Sequence, residues 1–411
     1  MTQFSETAID SNDYDVAIVG AGLVGTSLAL ALARASLRVA LIESHLPRLP
    51  RARSDDWDSR VYAISPGSAA FLDSVGAWQG LDAARVARVQ TMRIFGDAVG
   101  DAIVDALSAP ASRLDFSAYE AGLSELALIA ENGRMRSALW QCLDAATHVT
   151  RYCPAACASM AHGADAMDMV LDSGATLRAK LVVGADGAQS WVREQAGITV
   201  RTHDYAQCGV VANFACALPH HDTAYQWFRA DGVLALLPLP GDRVSMVWST
   251  TEAHAQDLAA LDASALAQRV GKAAGLVLGA LEVITPLAVF ALRLQRVAQF
   301  VKPRIALVGD AAHNVHPLAG QGVNLGLRDA RELAAVLCDR GAQSDCGDLH
   351  LLRRFERARK EDVLSMQLAT DGLQKLFASQ AVWVSRSRNV GLRLIESLPL
   401  IKTLLIKHAA A

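Results

Sequence analysis

The sequence predicts an α/β protein: a parallel sheet in a unit assembled from distant stretches of chain, an inserted antiparallel β-rich unit and a helical C-terminal region. Three observations predict it. A glycine-rich turn, GAGLVG at 20–25, separates two short apolar runs. Two more short β-rich runs, at 181–183 and 305–308, lead directly into GADG and GDAAH. Between those two lie β-rich segments punctuated by Pro and Gly.

Taken in order, residues 14–19 read as a buried strand, 23–35 as a helix and 38–42 as a second strand. That is a βαβ unit, whose crossover makes the two strands parallel. The stretch 16–33 is apolar enough for a hydropathy scan to read it as a membrane span, but Gly20, Gly22 and Gly25 divide it into strand, turn and helix. The runs at 181–183 and 305–308 place Asp186 and Asp310 at the carboxyl edge of a parallel sheet, where ligands bind in open α/β folds. Residues 208–214, 233–237 and 244–248 read as antiparallel strands between turns, and from 349 onward the pattern turns helical and basic. Residues 14–75, 108–200 and 295–345 then form a discontinuous nucleotide-binding unit. Residues 76–107 and 201–294 form the β-rich unit, and 346–411 a C-terminal helical region.

Composition excludes several classes. At 411 residues, with 52% hydrophobic and 20% charged residues, the chain is globular and long enough for more than one core. A net charge of −3 gives no basic stripe for nucleic acid. Seven scattered cysteines suggest a reducing compartment, with Cys153 and Cys157 expected as buried small hydrophobes. The N-terminal residues carry Glu6, Asp10 and Asp13 without Lys or Arg, unlike a signal peptide, so the cytoplasm is expected.

The chemistry sits in three motifs. In the first, Gly20 allows a tight turn, Gly22 lets backbone approach a pyrophosphate and Gly25 lets the helix pack on the sheet. Glu43, ending the next strand, stands where an acid accepts ribose hydroxyls. The second and third are GADGAQSWVRE and GDAAHNVHPLAGQGVNLGLRDA. Asp186 or Asp310 alone reads as a helix N-cap; beside the first motif, both suit sugar or ribityl hydroxyls. Gly320, Gln321 and Gly322 open a helix through Asn324, offering backbone N–H groups to developing negative charge, with Pro317 stiffening the loop before them.

These three motifs, in this order, resemble the aromatic flavoprotein monooxygenases typified by p-hydroxybenzoate hydroxylase. Within that group GDAAHNVHPLAGQGVNLGLRDA is similar to the signature of the FAD-dependent hydroxylases of ubiquinone biosynthesis, as are DSRVYAISPGSAAFLDSVGAW, ENGRMRSAL and FRADGVLALLPLPGDRVSMVWS. The resemblance implies a Rossmann-type FAD-binding domain with an inserted antiparallel substrate domain. It implies FAD as cofactor and NAD(P)H as electron donor, without a separate nicotinamide domain. Oxygen would pass from a flavin C4a-hydroperoxide to the ring of a prenylated phenol or benzoquinol. By position, Gly20, Gly22, Gly25 and Glu43 would hold the ADP half and Arg60 would lie beside the flavin or its pyrophosphate. Asp186 and Gly187, supported by Arg193, would contact FAD and assist NAD(P)H. Asp310 would bind the ribityl chain, while Pro317, Gly320, Gln321, Gly322 and Asn324 would line the isoalloxazine ring. The chain departs from the family in one place: Ser36 stands where its relatives end the first helix with Gly, at a cost on the order of 1 kcal/mol if the residue is left-handed.

Other readings stay open. His313 and His316 have H-x-x-H spacing, but no Cys or carboxylate cluster completes a metal shell, so no metal is expected. The stretch 392–408 has apolar residues at helical spacing beside Arg393, Lys402 and Lys407. It suits a helix packed on the core, or one docking on the inner-membrane surface or on another ubiquinone-biosynthesis protein. Rival functions are hydroxylation of a different phenol, a flavin oxidase or reductase on the same frame, and a non-catalytic flavin-bound scaffold.

Overall fold

A computed structural model describes residues 13–49, 56–96, 113–229, 231–314, 322–341 and 344–378, with side chains as far as 364. The first sheet is built as the βαβ signal requires. Asp13–Val19 lies between Thr176–Gly184 and Val39–Ile42, parallel to both, and Ile305–Leu307 and Val149–Tyr152 extend the parallel order on either side. The four strands inside that order end in runs buried on both faces, whereas the edge strand Val149–Tyr152 has no buried residue. Val16, Ile18, Leu41, Val182 and Leu307 are all essentially inaccessible. Met167–Leu171 pairs antiparallel onto the early part of Thr176–Gly184, and Cys157–His162 pairs antiparallel with Met167–Leu171.

The first helix, Leu23–Arg34, ends at Ser36, whose φ is +61°. Ser36 N–H donates to the Ala33 carbonyl and Leu37 N–H to that of Leu32. With Leu32 and Leu37 both buried, this is a Schellman closure made without glycine. The departure read from the sequence therefore falls on a left-handed residue.

The second sheet is the β-rich insert. Its ladder runs through Ala288–Val297, Val200–Cys216, Arg243–Thr251, Gly232–Leu239, Thr223–Arg229, Thr91–Phe95 and Arg113–Ser117. Strand alternation sends Val210, Ala212, Phe214, Met246 and Trp248 to one face, packed on Leu258 and Leu266 of the helices Glu252–Ala259 and Ala263–Ala273. Leu237 and Ala224, on the other face, pack with Ile129 and Val89 of a small third sheet formed by Val61–Ile64, Ala127–Glu131 and Ala87–Val89. This third sheet has no counterpart in the sequence reading, since its strands have four, five and three residues, too few for a period-two pattern to register. Arg113–Ser117 falls within the 108–200 stretch assigned above to the nucleotide-binding unit, yet it is antiparallel to Thr91–Phe95 in the second sheet. Burial of Leu114 there accounts for the difference. The C-terminal helix Leu349–Ala378 packs back on the first unit through Leu352, Phe355 and Val363.

Candidate functional site

Register decides where the motifs meet. Val19 pairs with both Gly184 and Ile42, and Gly184 pairs with Leu307, so the chain leaves all four strands at one sheet edge. Gly20, Glu43, Asp186 and Asp310 each follow within one to three residues. The glycine-rich turn is as tight as its sequence requires. Gly20 has φ +103°, and a Cβ on Gly25 would stand 2.0 Å from the Gly20 carbonyl oxygen. Gly22 differs: a Cβ there would meet nothing within 4 Å, so its backbone borders open space at the helix N-terminus. Glu43 Oε2 accepts the Ala21 N–H at 2.9 Å and Oε1 that of His45 at 3.2 Å. An ionised carboxylate has about four lone-pair sites, so acceptor capacity remains for sugar hydroxyls. Trp140 Nε1 donates to the Ala21 carbonyl at 3.4 Å, which brings the helix Asn132–Asp144 against the same turn.

The second motif is stitched to the third. Asp186 Oδ2 accepts the Val192 N–H at 3.0 Å, so the N-terminal-cap role open to Asp186 is partly real. The cap residue itself is Ser190, which accepts from Arg193 N–H. Asp186 Oδ1 is buried without a partner. Arg193, nearly inaccessible, donates from Nη2 to the Ala188 carbonyl at 2.8 Å and from Nη1 to that of Ala311 at 3.0 Å. The supporting residue thus ties the GADG loop to the GDAAH loop.

Asp310 is open to solvent on its own surface, yet it sits in a concavity dense enough that desolvation raises its carboxyl above the ordinary value, with His313 and Arg60 opposing. Arg60 is exposed, and its guanidinium lies 5.4 Å over the ring of Tyr62. Burial pushes the Tyr62 phenol up, and Arg60 opposes it. Two groups hold the Arg60 segment. Asp58 accepts the N–H groups of Arg60 and Gly133, and Glu131 accepts from Arg85, Arg134 and the Asp58 N–H. Asn324 is fully buried: its Oδ1 accepts the Ser65 N–H at 2.9 Å and its Nδ2 donates to the Ala63 carbonyl at 2.8 Å. Its amide spans the helix Gly322–Cys338 and the segment after Arg60. A Cβ on Gly322 would meet nothing within 4 Å, whereas Pro317, Gly320, Gln321 and His316 lie outside the described residues.

Sequence reasoning missed the groups that hold these loops. His313 Nε2 donates to Asp329 at 2.6 Å, and Asp329 also takes Arg359 from the C-terminal helix at 2.7 Å. A signal existed. Asp329 follows Leu325 by four residues in an apolar stripe, and Arg359 stands between Phe355 and Val363 in another. A charge at a core position of an amphipathic helix requires a buried partner. Trp140, with Arg136 one turn before it, carried a weaker hint, and Arg136 Nε is buried without a partner. Among the described residues no cluster of three or more His, Cys, Asp or Glu could hold a metal ion. All seven cysteines are free; Cys153 and Cys157 are half-buried instead of core residues, Cys153 just past the end of the edge strand Val149–Tyr152 and Cys157 at the start of Cys157–His162. Burial pushes the Cys157 thiol up to about 12.

Open backbone at a helix N-terminus, carboxylates at three strand ends and orphaned buried polar atoms on Asp186 and Arg136 fit a dinucleotide with phosphates and two sugar-like chains. Such a site on this frame defines an FAD-dependent oxidoreductase. Residues 13–361 match the family model described as the FAD binding domain. A 3-demethoxyubiquinol 3-hydroxylase of Escherichia coli (strain K12) is 34% identical over 398 residues, spanning 96% of this chain and 98% of that protein. The mitochondrial ubiquinone biosynthesis monooxygenase COQ6 of Homo sapiens is 31% identical, spanning 97% of this chain and 92% of that protein. Among solved structures, p-nitrophenol 4-monooxygenase PnpA from Pseudomonas putida superposes with TM-score 0.76 at 19% identity, over 97% of this chain and 99% of that one, a likeness of fold. The chain belongs to the FAD binding domain family and, within it, to the ubiquinone-biosynthesis hydroxylases. It is an FAD-dependent monooxygenase.

Proposed function

We propose that this chain hydroxylates the ring of a prenylated phenol or benzoquinol intermediate of ubiquinone biosynthesis, using NAD(P)H and O2. The observation that carries the reading is the convergence of Gly22, Glu43, Asp186 and Asp310 on one sheet edge. FAD, when bound, supplies two-electron transfer from NAD(P)H and activation of oxygen. Gly20, Gly22, Gly25 and Glu43 hold its ADP half, Arg60 its pyrophosphate or ring edge, and Asp186 and Gly187 the adjoining sugar, braced by Arg193. Asp310 holds the ribityl chain, and Pro317, Gly320, Gln321, Gly322 and Asn324 border the ring. The remaining work of the protein is to orient the phenol and exclude water.

A prenyl tail has a candidate path. Gln295 and Arg296, in the strand Ala288–Val297, pair with His313–Asn314 of the third motif. The far end of that strand carries Val289 and Phe290, each 44% exposed. Phe290 lies over Gly209, where a Cβ would come within 2.6 Å of its ring. At roughly 3.4 Å per residue Phe290 stands on the order of 20 Å along the strand from the His313–Asn314 pairing, within the apolar stretch Ala288–Leu292. Among the described residues no helix is long and apolar enough to cross a membrane. The stretch 392–408, which suits a helix packed on the core or one docking on the bilayer or a partner protein, lies outside the described residues.

Incubation of the purified chain with FAD, NAD(P)H and a prenylated phenol under 18O2 tests the reading. Label in the ring product is expected, with NAD(P)H oxidation stimulated by the phenol. Stimulated oxidation with no label in the product would move the assignment to an oxidase or reductase.

A further inference from the structure

We propose that Asp329 is a positioning residue for the flavin site, and that Arg359 on the C-terminal helix keeps it in register, so that docking of that helix and the geometry of the Gly309–Asn314 loop form one device. The proposal rests on the reading of this loop as flavin-facing.

The contacts are few and specific. Asp329 Oδ2 accepts the Gly309 N–H at 2.9 Å and the Nε2–H of His313 at 2.6 Å. Those two donors bracket Asp310, so one carboxylate oxygen pins both sides of the turn that presents it. Asp329 Oδ1 takes Arg359 Nε at 2.7 Å, and Arg359 also reaches Asp362 at 2.6 Å and the Leu325 carbonyl at 3.4 Å. Side-chain exposure is 0% for Asp329, 2% for His313 and 7% for Arg359. Burial opposes ionisation of Asp329, but the charge and hydrogen bonds of His313 and Arg359 hold its carboxyl below the ordinary value. An ionised carboxylate only accepts, which assigns the His313 proton to Nε2. Close by, Glu356 of the same helix accepts the Phe300 N–H at 2.9 Å, and the Phe300 ring lies 5.9 Å from that of His313.

One buried charge therefore holds both the Gly309 N–H and the His313 ring, and a residue of the C-terminal helix balances it, while Arg193 holds the Ala311 carbonyl from the GADG side. Without Arg359 the carboxylate must find water or a proton, and either change moves Gly309 and His313 together. Displacement of a functional loop by about 1 Å costs on the order of a hundredfold in a reaction that depends on placement.

The experiment uses the full chain and compares Arg359→Gln, Arg359→Lys, Asp329→Asn and Arg354→Gln. The last, on the same helix as Arg359, removes an exposed pair with Asp339, which follows the helix Gly322–Cys338, and serves as the control. Readouts are the FAD dissociation constant, the flavin midpoint potential and the unfolding temperature of the apoprotein. R359Q is expected to weaken FAD roughly tenfold and to shift the potential, R359K, which keeps the charge but not the fork, to recover part of both, and R354Q to match wild type. Unfolding temperatures that fall in R359Q and D329N while dissociation constant and potential stay at wild-type values would overturn the proposal, leaving a merely structural ion pair. If D329N does not fold, the contrast between R359Q and R359K decides. Wild-type chain that takes up no FAD would overturn the underlying reading of the loop, before any variant is made.

Discussion

At the scale of single residues, two side chains sit where function or history, more than stability, places them. Ser36 adopts φ +61° at the end of the first helix, a conformation that costs a non-glycine residue about 1–2 kcal/mol. Ser36→Gly relieves this but frees the unfolded chain, so a net gain of about 0.5–1 kcal/mol is expected in denaturant melts, with FAD affinity unchanged. Asp310 is the opposite case, a carboxylate proposed to hold the ribityl chain and desolvated by the fold. Its pKa is raised by desolvation. Its favourable contribution is therefore complete below the ordinary value of 3.8 and lost as pH rises through the folded value. Asp310→Asn should raise the melting temperature of the apoprotein at pH 7 while weakening FAD, measured by flavin fluorescence. A variant that loses both would show that the carboxylate is structural.

Among the elements, the first βαβ unit was fully legible because its pattern is local: an apolar strand, three spaced glycines, an apolar helix and an acid. Gly25→Ala tests that reading. The added methyl would stand 2.0 Å from the Gly20 carbonyl oxygen and 3.0 Å from the Ala185 Cβ, so the turn must open, and FAD uptake is expected to fall by at least tenfold while the second sheet's fold persists in circular dichroism. Retained FAD affinity would contradict the geometry. The strand Ala288–Val297 was not read from the sequence, although Phe290 and Val289 make its exposed end distinctive. If a prenyl chain lies along it, Phe290→Ser raises KM for a long-chain substrate several-fold, since each buried methylene is worth about 0.8 kcal/mol. The same change leaves kcat/KM for a short-chain phenol near wild type. Equal losses on both substrates would place the tail elsewhere.

Across the whole molecule, what stayed hidden in the sequence is long-range. Arg193 bridging Ala188 and Ala311, Asn324 bridging Ala63 and Ser65, and the Asp329–Arg359 pair all join segments far apart in the chain. Periodicity reports which face of a helix is buried, but not what it is buried against. The expected cofactor residues were nameable because phosphate and sugar chemistry fix residue types at strand ends; the groups that hold them answer only to packing. One consequence is a shared acid sensitivity. The carboxyl of Asp329 is held below its ordinary value, so its stabilisation is present above pH 3.8 and lost as pH falls through the folded value. Wild type should show a steep acid limb below pH 3.8 and Asp329→Asn a flatter one, by intrinsic fluorescence; identical limbs would mean that other carboxylates govern acid unfolding. The central claim is tested most directly in bacterial strains that each lack one ubiquinone-ring hydroxylase, complemented with this gene and analysed by mass spectrometry of their quinones. Ubiquinone restored in one strain is the expected result, and it names the ring carbon as well as the pathway. Blocked intermediates persisting in every strain, with purified protein that still binds FAD, would contradict the assignment to ubiquinone biosynthesis.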